Sequence, residues 1–345
     1  MAADGTIDSP LAGAQRIAWR FEGFVTAIAI DAESRSAAFA LGSGKLRLVD
    51  FAKQQAHAAR TAAAHDGAVL ALVADPSGGF VSGGDDGTVT RTARDGTTDE
   101  LARFAGQWVE HVACLGDGRV AVAVGRTVHV LGEPARTLGP HPSTVAGLAA
   151  AGTRLFAAHY NGVSIWDLAG DAAEPDRLEW KGSHLAVSAS PDGRYVATAT
   201  QDCALHAWRL EDRTEMQMAG YAAKATSLTW SPDSLLLAAS GVGNLMAWPF
   251  DGDGPEGREP VGLLDGKGAL ATKVAFHSRL PLLAGGFSDG NLAVVDTVRR
   301  RAIRMSIAKD VAISALAWSP DGSQLAAGTE DGRAAIVTLP GAGAS

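Results

Sequence analysis

Four aspartates draw attention because they recur. Asp86, Asp202, Asp289 and Asp331 each sit in a short polar turn just ahead of an apolar run. Carboxylates can do general acid–base work. Recurrence at one repeat position argues instead for a turn residue that accepts from nearby backbone N–H groups. The nine histidines are potential metal ligands. No HxH or HxxxH spacing occurs and they scatter along the chain, so neither a metal nor a cofactor is expected. Gly252–Gly257 matches GxGxxG, but it contains Pro255 and opens no helix, which removes the dinucleotide reading. Gly42–Leu46 (GSGKL) and Leu264–Gly268 (LDGKG) lack the phosphate-loop spacing, and no GxSxG is present. Cys114 reads as a small apolar residue at a strand end, and Cys203 stands where most units carry Gly after a turn. Arg299, Arg300, Arg301 and Arg304 form a basic cluster, read as a solvated turn or as a dock for an acidic partner segment. No catalytic constellation emerges, so the chain is read as not an enzyme.

The elements that must position these residues are short strands. Gly182–Asp212 contains LAVSA, a Pro191-Asp192-Gly193 turn, RYVATAT, a polar Gln201-Asp202 turn and ALHAW. Apolar runs bounded by turn formers read as strands, and three in succession make a meander. A lone meander cannot bury both faces, so it must stack on copies of itself. Eight first strands align in one frame, with Ile28, Leu72, Val112, Leu148, Val187, Leu228, Val274 or Leu316 as fourth residue. They recur roughly every 35–47 residues, the period of a propeller blade. A weaker fourth strand follows each of the first seven units, beginning with Gln55–Thr61. Gln15–Phe21 supplies the missing eighth, so the N-terminal strand is expected to complete the last blade and close the ring. The fold expected is all-β: eight four-stranded blades, with seven as the alternative, spanning 15–339 as one domain between flexible tails at 1–14 and 340–345.

Composition agrees. The chain has 345 residues, 46% hydrophobic and 20% charged, with 41 glycines. The formal net charge of −8 disfavours broad attraction to nucleic acid or an anionic membrane. Two distant cysteines fit a reducing, cytoplasmic setting. The N-terminal segment lacks a secretory pattern, and no apolar run of about 18 residues predicts a membrane helix.

The unit TATQDCALHAWR resembles a WD40 repeat, and Ile165-Trp166-Asp167 carries the name-giving Trp-Asp. Trp208 and Trp248 hold the same third-strand position, followed by Arg209 and Pro249. The resemblance covers the chain from about Gln15 to Leu339 and is to a diverged, bacterial-type WD40 propeller. It implies that turn Asp residues bond a His ahead of the first strand. His65 and His141 are the matching histidines, and Asp86 with His65 is the best pair. Units one, two, three, seven and eight lack the Trp, and units one, three and six lack the Asp.

The resemblance also implies a function. Residues just ahead of a first strand, or in the turn before a third strand, share one propeller face. Those positions hold Asp85, Trp108, Arg126, Tyr160, Lys181, Gln201, Lys224, Phe287 and Glu330. Trp, Tyr and Arg are favoured at binding hot spots. The expectation is a non-enzymatic scaffold, monomeric when isolated, that docks a protein or peptide there. Two alternatives stand beside it. One is an enzyme, metal site or small-molecule binder in the central channel, with His111, His184 and the turn carboxylates as the groups to test. The other is a structural subunit of a larger assembly.

Overall fold

The structure, a computed structural model, describes residues 13–53, 58–170 and 173–339. Every regular element among them is a strand. Hydrogen bonding gathers these strands into seven antiparallel sheets, six with four strands and one with six. The four-stranded sheets are meanders whose third and fourth strands lie outermost. The expected tails lie outside the described residues, apart from Gly13 and Ala14. So does part of Gln55–Thr61; the strand seen there is Arg60–Ala63.

The sheet count corrects the expectation of eight separate blades; the propeller has seven. Units four and five share the six-stranded sheet. Asp176–Ala189 runs as one 14-residue strand, serving as the outer strand of unit four and the first strand of unit five. Its neighbour Arg154–Asp167 contains Asn161 and Gly162 at φ 69° and 138°. A Cβ on Gly162 would sit 2.0 Å from the Leu178 carbonyl oxygen, so only glycine fits this close approach. Tyr160 pairs with Ser183 beyond a register shift, so the strand is bonded to its neighbour on both sides of the irregularity.

The core lies between sheets. Tyr195, Met216, Trp230, Leu245, Trp248 and Phe276 belong to one buried cluster that joins units five, six and seven. Phe21, Val25, Phe39 and Ile336 belong to another that joins units one and eight. A fully buried side chain such as Phe39 contributes about 1.5–3 kcal/mol.

Adjacent units are also stitched by repeated bonds. On first strands, Thr272 Oγ1 donates to the Ile313 carbonyl at 2.6 Å, joining units seven and eight. Ser314 Oγ donates to the Val25 carbonyl at 2.6 Å, joining units eight and one. On the opposite rim, the Asp192 N–H donates to Ser234 Oγ at 3.0 Å between units five and six. The Asp321 N–H donates to Ser34 Oγ at 3.0 Å between units eight and one. Gln15–Arg20 pairs antiparallel with Arg333–Thr338, from Gln15 opposite Thr338 to Arg20 opposite Arg333.

Candidate docking face

One backbone bond defines a face. In units one, two, five, seven and eight the turn leaving the second strand donates an N–H to the carbonyl of the residue ahead of the first strand. The pairs are Gly42 to Phe24 (3.0 Å), Asp85 to Ala68 (3.1 Å), Gln201 to Ser183 (2.9 Å), Ser288 to Leu270 (2.8 Å) and Glu330 to Ala312 (3.2 Å). Units three and four join the same surface differently. The Val109 N–H donates to the Gly84 carbonyl and the Val145 N–H to the Gly125 carbonyl. Arg126 Nε donates to the His141 carbonyl (2.8 Å), and the Tyr160 N–H donates to Ser143 Oγ (2.8 Å). Lead-in loops and turns are thus one continuous rim.

On that rim Trp108 is 61% exposed and Tyr160 48%, both large for aromatic side chains. Arg126, Lys181, Gln201, Lys224 and Glu330 are exposed, and Asp85 is half-buried. Sequence reasoning missed Phe24, which is 41% exposed. The signal was available: Phe24 precedes Val25 as Trp108 precedes Val109. Phe287 is a correction. It ends the strand Leu282–Phe287, is 1% exposed and packs in the core, because the turn begins one residue later at Ser288. A cavity of about 660 Å³ opens beside Tyr160, with His159, Arg177, Glu179, Trp180 and Lys181 among its walls. A second, of about 370 Å³, lies at the channel mouth between units six, seven, eight and one.

Three side chains of the arginine cluster are tied down within the chain, though only one meets a carboxylate. Arg299 pairs with Asp296 at 3.1 Å. Arg300 donates to the Gly262 carbonyl, and Arg304 donates to the Asp265 carbonyl and covers the Phe287 ring. Burial pushes the Cys114 thiol up to about 12, so it packs as an apolar group.

Below the rim, Asp86 collects donors. Its carboxylate accepts from the Thr88 N–H (3.0 Å), Thr88 Oγ1 (2.8 Å) and the Asp66 N–H (2.9 Å), and lies 3.1 Å from His65 Nδ1. His65 Nε2 reaches Ser82 Oγ at 2.8 Å. Burial opposes ionisation of Asp86, but the bonds from Thr88, Asp66 and His65 outweigh it and hold the carboxyl well below its ordinary range. A Cβ on Gly84 would meet both His65 and Asp86, so glycine makes room for the pair.

Comparison with protein families finds two matches. The model described as "WD domain, G-beta repeat" matches residues 58–90, the stretch holding His65 and Asp86. The model described as "Anaphase-promoting complex subunit 4 WD40 domain" matches residues 274–341, units seven and eight. With the stacked four-stranded meanders, these decide the family. The chain belongs to the WD40-repeat β-propellers. No curated protein matches it.

Other WD40 positions are filled unevenly. Trp166 Nε1 donates to His141 Nε2 at 3.4 Å, while His141 Nδ1 bonds the Arg126 carbonyl, so this His meets no Asp. In unit six Tyr221 takes the histidine position and accepts from Trp248 Nε1 at 3.0 Å, a substitution sequence reasoning did not catch. Asp289 accepts from the Asn291 N–H and side chain, and Asp331 accepts from Thr329 Oγ1 and pairs with Arg333. Asp202 is exposed and makes no hydrogen bond or ion pair with a described residue, which corrects its assignment as a turn acceptor. Cys203 beside it adopts φ 59°, the conformation glycine holds elsewhere. Trp208 is buried with its indole N–H unpaired, against His206. His184 is also buried, bonded to Thr198 Oγ1 and the Trp180 carbonyl, and so does not line the channel; His111 is half-buried.

Proposed function

We propose that this WD40 chain is a non-enzymatic scaffold that docks a protein or peptide on the face bearing Phe24, Trp108 and Tyr160. One observation carries the reading: three large aromatic side chains stand exposed on one rim, with Phe24 and Trp108 at repeat-equivalent positions. Aromatic anchors ringed by polar groups are the usual anatomy of an interface centre. A propeller alone fixes no function, and it is this surface that supports the reading. Arg126, Lys181 and Gln201 supply polar partners around it. A cytoplasmic setting and a monomeric isolated chain complete the reading.

Affinity capture from the native host tests it. The parent chain should retain a stoichiometric partner, and Trp108→Ala with Tyr160→Ala should release it at unchanged melting temperature. Retention by the double variant removes the site.

A second reading, a structural subunit of a larger assembly, draws on the match of units seven and eight to a domain of a complex subunit. It requires the native chain to elute from gel filtration of lysate well above its own mass of 35.4 kDa. The arginine cluster offers this reading little support, because Arg299, Arg300 and Arg304 are bonded within the chain.

A further inference from the structure

The channel-mouth cavity carries an excess of donors without acceptors. Lys273 is half-buried on its wall and forms no ion pair with a described residue. Thr26 lines the same cavity, and its hydroxyl has no partner. The contrast with its repeat equivalents is informative. Thr272 and Ser314 hold the same strand position, and each spends its hydroxyl on a neighbouring unit's carbonyl. Ser240 Oγ accepts from the Thr226 and Ser227 N–H groups, which leaves its proton to donate. Lys224 adds a second ammonium at the rim, and it too is unpaired. A buried ammonium without a counter-charge is costly. Burial accordingly pulls Lys273 below the ordinary lysine range. The one carboxylate on the cavity wall is Glu330, on unit eight, and it forms no ion pair with either lysine.

We propose that this cavity is a carboxylate subsite, which seats one acidic side chain of a docked peptide against Lys273. A carboxylate brings acceptor oxygens and one negative charge, which is what Lys273, Lys224 and Ser240 lack. Thr26 can add a further bond by rotating about χ1. Glu330 disfavours a polyanion, whose remaining charge would face it across the mouth. At about 370 Å³ the cavity has room for a glutamate side chain. Phe24 lies on the same wall, so the subsite is continuous with the aromatic rim. The assignment of the carboxylate to a peptide rests on the docking function proposed above.

Direct titration of the purified chain tests the subsite without a partner. The probe is N-acetyl-glutamic acid amide, which carries a single side-chain carboxylate. Calorimetry and the ¹⁵N resonance of the Lys273 ammonium should show saturable binding, with the lysine titrating at higher pH in the bound state. The glutamine analogue should not bind. Lys273→Met should weaken binding roughly tenfold or more, and Lys224→Met by less. Lys273→Arg should keep it, which separates lost charge from a lost fold. Equal binding by Lys273→Met, or by the glutamine analogue, overturns the proposal. Tighter binding of inorganic phosphate than of the glutamate probe also overturns it, by assigning the site to a free anion. A partner released by the Trp108/Tyr160 variant yet kept by Lys273→Met would leave the docking face standing and remove this subsite.

Discussion

Asp86 and Asp202 occupy the same place in two repeats, yet only one is held. The residue two positions on decides the difference. Thr88 follows Asp86 and gives it both an N–H and a hydroxyl. Asn291 and Arg333 do similar work for Asp289 and Asp331. Ala204 follows Asp202 and has no side-chain donor, and its N–H is not bonded to the carboxylate. The sequence shows the aspartates clearly, but the turn acceptor is a pair of residues, not one. Asp86→Ala should lower stability by about 1–2 kcal/mol, because it strips a buried His and two N–H groups of their acceptor. Asp202→Ala should leave the melting temperature unchanged. Because the folded Asp86 carboxyl is held below its ordinary value of 3.8, its contribution is complete above that value. It is lost as pH falls further. Equal melting temperatures for parent and Asp86→Ala at pH 7 would sink the argument.

At the scale of strands, every first strand read from apolar alternation is present, within a residue or two at most ends. The fusion of units four and five was not legible. Apolar alternation reports which face a residue occupies, whereas the continuity of Asp176–Ala189 depends on backbone pairing with Arg154–Asp167. Lys181-Gly182-Ser183 looks like a loop in sequence and lies inside the strand Asp176–Ala189 in the structure, with Gly182 at φ 114°. Four buried histidines lie in or beside the shared sheet: His141, His159, His184 and His206. Burial depresses all four, and it drives His206 down to about 3. Neither ring nitrogen of His206 finds a partner, and the ring is stacked on Trp180 at 3.9 Å and edged by Trp208 at 4.4 Å. An unfolded imidazole protonates near 6.5, so between that value and about 3 only the unfolded chain takes up this proton. Stability should be full above about pH 6.5 and fall on acidification by about 1.4 kcal/mol per unit from this residue alone. His206→Leu should stay within about 1 kcal/mol of the parent at pH 7. Its melting temperature should decline less steeply between pH 6.5 and 4.5, and parallel declines would reject the assignment.

For the whole molecule, the question is what keeps a row of stacked sheets from ending in two sticky faces. The bond from Thr272 to Ile313 between units seven and eight reappears, at the same length, from Ser314 to Val25 between units eight and one. The link from Asp192 to Ser234 reappears as that from Asp321 to Ser34. The seam between last and first units is therefore built like an interior seam. The strand Gln15–Arg20 covers what would otherwise be the bare edge of Arg333–Thr338. It is itself mostly exposed, so its worth lies in backbone pairing and in satisfying that edge more than in buried area. Removing residues 1–20 should cost roughly 2–4 kcal/mol and lower Tm by about 5 °C. It should also make the chain self-associate through the uncovered strand, visible as concentration-dependent elution in gel filtration. A synthetic Gly13–Glu22 peptide added in trans should restore both the melting temperature and the monomer, since strand addition needs only a matching edge. A truncated chain that melts with the parent and stays monomeric would mean that the seam side chains alone hold the ring shut.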